Sequence, residues 1–304
     1  MTARMFSSKK GSSRRRTILL TAGGVAVVVA VGVTVGVIVT QTGDDGPTNA
    51  ASCSDVEFIG VAGSGQRDGG HSAEDQMNEE DIEDEDYGDS ETPDVDVVAE
   101  VGDIVAVTYA NLEADLPEDT SINLRAVEYP AMAVPVSLKQ ETWEDYFESV
   151  AEGVSATKDT INDTVDECPE SKIVVAGYSQ GAMALRRALL ELGSVDSIVA
   201  GVLIGDGDKL PDDKVTTIDD YDTDDYEGIA QLARDQWDFD SGASEEPLPS
   251  DWESRILSAC RCGDVVCAQE SFDVGSITDN ISAHTNYDAE DWREFLADAV
   301  AAAS

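Results

Sequence analysis

The chain has 304 residues and a formal charge of -44, from 63 acidic against 19 basic side chains. The excess is positional: residues 1–50 hold six basic residues (Arg4, Lys9, Lys10, Arg14, Arg15, Arg16) against Asp44 and Asp45, leaving 13 basic and 61 acidic residues for the remainder. Such a surface repels phosphate backbones and anionic headgroups, which excludes a nucleic-acid partner and suits solubility in strong salt.

In chain order, KKGSSRRR precedes residues 17–40, a run of 24 uncharged residues rich in Val, Gly and Ala. That length spans a bilayer and the basic flank faces the cytoplasm. Residues 1–16 therefore read as a basic n-region, and 17–40 as either a transmembrane anchor or a long signal segment. RRTIL also resembles a twin-arginine export signal, and a cut near TNA (48–50) would release the domain beyond it. On either reading the rest lies outside the cytoplasm, secreted or anchored to the outer face of the membrane. The five cysteines agree, since an oxidising compartment permits two disulfides with one thiol left over. Zinc is the rival reading, but C-x-C-x4-C matches no common structural site and the chain holds two histidines.

QTGDDGPTNAAS (41–52) is a polar linker, and the folded domain is expected over 53–304. DVEFIGVAGSG reads as a buried strand entering a Gly-rich turn. Residues 67–97 come next, with long carboxylate runs and almost no apolar content, a disordered insertion by composition. Neither this segment nor IDDYDTDDYEG (218–228) has the spacing of a calcium loop. Residues 98–116 fit both a strand, by their β-branched content, and a helix, by the face Val101, Ile104, Val105, Thr108 and Leu112. Residues 123–129 form a strand stopped by Pro130, and 141–168 a helix with Trp143, Phe147, Val150, Val154 and Ile161 near helical spacing. Then come a strand (172–177), a helix (182–192), an apolar run (197–204), a short strand (255–259) and an amphipathic helix (289–303). Strands that are apolar throughout and alternate with helices predict an α/β fold, a three-layer α/β/α sandwich around a mainly parallel sheet of about five strands.

One motif carries chemistry. Gly177-Tyr178-Ser179-Gln180-Gly181 lies between a strand and a helix. A G-x-S-x-G turn there holds a serine in strained backbone, needs small residues on either side, and aims the next helix's first amides at the reacting centre. A nucleophilic serine needs a base, and only His71 and His284 are available. His71 sits in the acidic insertion, whereas His284 lies after the last strand in SAHTNYD, the place of the base when the order is serine, acid, histidine. Between them, CRCGDVVC singles out Asp264, flanked by Cys260 and Cys267 at a spacing that suits a small disulfide loop.

Taken together, FIGVAGSG after Cys53, VEYPA (127–131), CPESKIVVAGYSQGA (168–182), VLIGDGDKLP (202–211), CRCGDVVC and HTNY (284–287) resemble the cutinase family of serine esterases, within the α/β-hydrolase superfamily. The resemblance covers about 53–304 outside the acidic insertion and tilts 98–116 towards helix. It implies Ser179 as nucleophile, Asp264 as orienting acid, His284 as base, and an oxyanion hole from Ser64 and Gln180. It also implies disulfides Cys53–Cys168 and Cys260–Cys267, with Cys262 unmatched. The first-strand motif departs from the family's R-G-[ST]-x-[ES], reading Val61-Ala62-Gly63-Ser64-Gly65-Gln66 without the arginine. The implied activity is hydrolysis of lipid or polyester esters through an acyl-enzyme, by a monomer without cofactor or metal. A surface-anchored binding protein on a hydrolase scaffold is the alternative, and a peptidase with the same triad a third.

Overall fold

The apolar run after Cys53 becomes an inner strand of a sheet in the computed structural model, which describes residues 53–67, 89–135, 140–218, 223, 225–237, 240–268 and 281–303. The expectations for residues 1–52, most of the acidic insertion and His71 lie outside the described residues. In chain order the elements are β1 (Val56–Val61), α1 (Val95–Val101), α2 (Asp103–Asp115), β2 (Ile122–Ala126), α3 (Gln140–Glu167), β3 (Lys172–Tyr178) and α4 (Gln180–Leu192). They continue with β4 (Ile198–Ile204), β5 (Thr216–Thr217), α5 (Ile229–Trp237), β6 (Ile256–Ala259) and α6 (Glu290–Ala302), with one helical turn at 281–285 before the last.

All strands are parallel, in the order β2-β1-β3-β4-β6-β5. That is six rather than about five, because the two-residue β5 adds an edge. The period-2 alternation of the strands divides the core in two. Phe58, Val174, Ala176, Val202 and Ile204 pack with Val105 and Leu112 of α2 and Trp292 and Leu296 of α6 on one face. Ile59, Val61, Ile173, Val175 and Leu203 pack with Val154 and Ile161 of α3 and Leu185 and Leu189 of α4 on the other. A sheet clothed on both faces needs inner strands that are apolar at nearly every position, as β1, β3 and β4 are, whereas β2 at the edge carries Asn123 and Arg125. The exception in β1 is Glu57, buried but accepting from Arg125 Nε at 2.7 Å and Asn123 Nδ2 at 2.9 Å.

Residues 98–116 are helical but broken. The Asp94 carboxylate caps α1 by accepting from the Asp96 amide at 2.8 Å. Gly102 then turns the chain at φ 80°, where a Cβ would meet the Gln66 side chain at 2.3 Å. Of the segment expected to be loose as far as residue 97, the described far end is ordered: Glu91 N donates to Asn111 Oδ1 at 2.7 Å, and Val95 already begins a helix.

Both implied disulfides are formed, Cys53–Cys168 with Cα atoms 5.5 Å apart and Cys260–Cys267 at 5.8 Å, and Cys262 is a free, exposed thiol. The sulfurs of Cys260 and Cys267 being joined to each other, the zinc reading of CRCGDVVC fails. Because β1 connects to β2 on one side and adjoins β3 on the other, the strand order switches at β1, and the carboxyl ends of β1 and β3 open a crevice there.

Candidate active site

Ser179 stands at the carboxyl end of β3, immediately before α4, with φ 53° and ψ -116°. This left-handed backbone is costly for a serine and persists only where its surroundings enforce it. They do. A Cβ on Gly177 would lie 2.7 Å from Gly181 O, and one on Gly181 only 2.2 Å from Val61 O, so both motif glycines are required by close backbone approach. The Ser179 amide donates to Ile204 O of β4 at 2.8 Å, and its own carbonyl accepts the first bond of α4, from Met183 N at 3.1 Å. The amides of that first turn carry the positive end of the helix dipole.

Asp264 lies in the loop after β6, fully buried, between the cysteines of the small disulfide. Its carboxylate faces His284 Nδ1 at 3.0 Å from Oδ1 and 2.9 Å from Oδ2. Val266 N donates to Oδ1 at 2.6 Å and the Tyr287 hydroxyl to Oδ2 at 2.5 Å. Burial would push this carboxyl up, but the bonds from His284, Tyr287 and the Val266 amide outweigh it and hold Asp264 below the usual range. An ionised Asp264 keeps the imidazole proton on Nδ1 and leaves Nε2 as the acceptor.

The imidazole is seated against the residues around Ser179. Gly205, next to the carbonyl that holds the Ser179 amide, has φ 59°, and a Cβ there would meet His284 Cε1 at 2.7 Å. The ring of Tyr178, the residue before the serine, stacks on the imidazole with centroids 5.0 Å apart and planes at 22°, and its hydroxyl donates to His284 O at 2.9 Å. Asp264 and His284 are thus in direct contact, and both backbone neighbours of the Ser179 turn touch the histidine.

On the other flank, Ser64 is half-buried in the turn after β1, which is pinned by Gly65 N to Ala131 O at 2.6 Å. Its Oγ lies 3.1 Å from the Tyr146 hydroxyl of α3. Gln180 opens α4 fully buried; its carboxamide lies near that same hydroxyl but makes no hydrogen bond of normal geometry. Burial pushes the Tyr146 hydroxyl up to about 12, the bond with Ser64 acting against it, so it stays protonated.

A family model for cutinase matches residues 94–300. The chain belongs to the cutinase family. It is 24% identical over 172 residues to the cutinase CUT1 of Coprinopsis cinerea, covering 56% of this chain and 65% of that protein's length. Among solved structures, a cutinase-like protein from Cryptococcus sp. has 18% identity and a TM-score of 0.46, over 82% of this chain and 97% of that one. The catalytic core domain of an acetyl xylan esterase from Trichoderma reesei has 16% identity and a TM-score of 0.46, over 83% and 99%.

In this cutinase-family chain three side chains at the site were not singled out from sequence. Tyr178 stood in the motif as a spacer and Tyr287 as the end of HTNY. Tyr146 lay hidden in α3, although Tyr146, Val150, Val154, Thr157, Ile161 and Thr164 form its buried face at helical spacing. Behind Gly205, buried Asp206 and Asp208 and half-buried Asp213 gather around Arg186 and Arg187, one carboxylate more than the guanidiniums. Burial pushes Asp206 up to about 7 despite Arg186 at 3.5 Å. Among the described residues no cluster of three or more His, Cys, Asp or Glu is arranged to hold a metal ion.

Proposed function

We propose that this chain is an extracytoplasmic serine esterase that hydrolyses carboxylic esters of lipids or polyesters through Ser179, His284 and Asp264. The observation that carries the reading is the Asp264–His284 contact, seated on Tyr178 and Gly205, beside a serine held at φ 53°. His284 Nε2 takes the Ser179 hydroxyl proton as Oγ bonds to the ester carbonyl carbon. The resulting oxyanion is met by Ser64 and the Gln180 amide, each such donor being worth about 3–4 kcal/mol in comparable sites. The intermediate collapses, the C–O bond to the alcohol breaks, and the alcohol leaves with the proton from His284. Water, deprotonated by the same imidazole, then cleaves the acyl-enzyme to release the acid.

Two observations support an apolar, uncharged ester. Among the described residues the exposed large hydrophobics are Val134, 53% exposed, and Ile281, 43% exposed. The first lies beyond β2 in the loop whose Ala131 carbonyl pins the Ser64 turn, the second three residues before His284. The net charge of -44 disfavours anionic substrates. Two disulfides and the export segment support a place outside the cytoplasm. A fluorophosphonate probe tests the enzyme: wild type is expected to label and Ser179→Ala not, and absence of labelling in both would overturn the reading. An ester panel of graded acyl length then defines the substrate.

A further inference from the structure

We infer that Tyr178 and Tyr287 set the proton affinity of His284 from opposite sides, Tyr178 as a ring platform favouring the imidazolium and Tyr287 as a donor that draws charge from Asp264 and disfavours it. The inference rests on the triad reading above. Both tyrosines are positioning residues, acting through the imidazole and the carboxylate.

Tyr178 is clamped in place. Its ring lies 5.0 Å from the imidazole and near parallel to it, while its Cδ1 would be only 2.6 Å from a Cβ at Gly63. The ring therefore separates the Ser64 turn from the histidine, and only glycine at 63 leaves room for it. Its hydroxyl stays protonated, through burial first and then through Asp264 and Asp103, and it is spent on His284 O. What the imidazole meets is the π face. That face attracts a cation, and His284 becomes one as it takes the Ser179 proton.

Tyr287 works on the other partner. Its hydroxyl donates to Asp264 Oδ2, while its oxygen accepts from Arg261 N at 3.2 Å. Each donor to a carboxylate spreads its charge and weakens what remains for the imidazolium. Among the described residues, the titratable and charged groups facing His284 are Asp264 from the loop after β6, Tyr178 from β3 and Tyr287 from its own loop. One step out, Asp103 of α2 acts on Tyr178 and the Arg261 guanidinium lies 5.8 Å over the Tyr287 ring. Asp206, beside Gly205, is paired with Arg186.

The test is the acid limb of the pH profile of kcat/KM, which reports the free enzyme's essential base whatever fraction of the protein is active. Tyr178→Leu is expected to move that limb to lower pH by about half a unit to one and a half units. Tyr178→Phe, which keeps the ring, should leave it in place. Tyr287→Phe is expected to move the limb to higher pH by about half a unit. Tyr178→Met replaces the leucine variant if that does not fold, and Tyr287→Phe keeps its ring and decides its half alone. Limbs that stay put, or move in the same direction, while wild type labels with fluorophosphonate and Ser179→Ala does not, overturn the inference and leave the esterase standing. A wild type that does not label removes both.

Discussion

A serine hydroxyl stabilises an oxyanion only if its hydrogen is free to point at it. Ser64 meets that condition if Tyr146, kept protonated by burial, donates into Ser64 Oγ and leaves the serine hydrogen unspent. Tyr146→Phe should then lower kcat about tenfold with little change in KM, because the lost bond matters only once the oxyanion forms. Ser64→Ala should cost about a hundredfold or more, and the double variant no more than Ser64→Ala alone, since Tyr146 acts through that hydroxyl. Steady-state kinetics on one neutral ester checks all three. Additive losses would mean that Tyr146 serves α3 packing and not the serine.

At the scale of elements, what the sequence disclosed depended on how local the cause was. The inner strands of the sheet were legible because a doubly covered strand is apolar at nearly every position, and GYSQG because two glycines and a serine between strand and helix have few other uses. Residues 98–116 were not, since their β-branched residues argue for strand while the deciding features, the Asp94 cap and the Gly102 break against Gln66, act through geometry. The two-residue β5 and the helix α5 left no readable pattern, and the α3 face was read through Phe147 when the buried ring beside the site is Tyr146. The two disulfides separate fold from site in a testable way. Cys53–Cys168 closes a separation of 115 residues and Cys260–Cys267 one of 7, so chain entropy assigns them about 5 and about 2 kcal/mol. Replacing the first pair by serine should lower the melting temperature more than replacing the second. Activity on the folded protein should fall in the reverse order, because only the small loop holds Asp264 to His284. Thermal melts and active-site-titrated kcat measure the two effects separately.

At the scale of the molecule, an esterase that acts through Ser179 is expected to have its choice of esters set by charge. The 61 carboxylates beyond residue 50 act together at low ionic strength, and residues 68–88, starting four positions after Ser64, hold ten of them with no lysine or arginine. Their field reaches about 10 Å at 0.1 M salt and about 3 Å at 1 M. For an ester bearing a carboxylate, kcat/KM should therefore climb steeply with salt, while a neutral ester of the same length stays nearly flat. Salt also relieves self-repulsion and so raises the folded fraction, which would lift both esters together; normalising to fluorophosphonate-titrated sites removes that contribution. Deleting 68–88 should then shrink the gap between the two esters at low salt and leave it unchanged at 1 M, where the field is already screened. If the deletion changes both esters equally, the discrimination belongs to the rest of the acidic surface, and if the gap ignores salt altogether, it is steric.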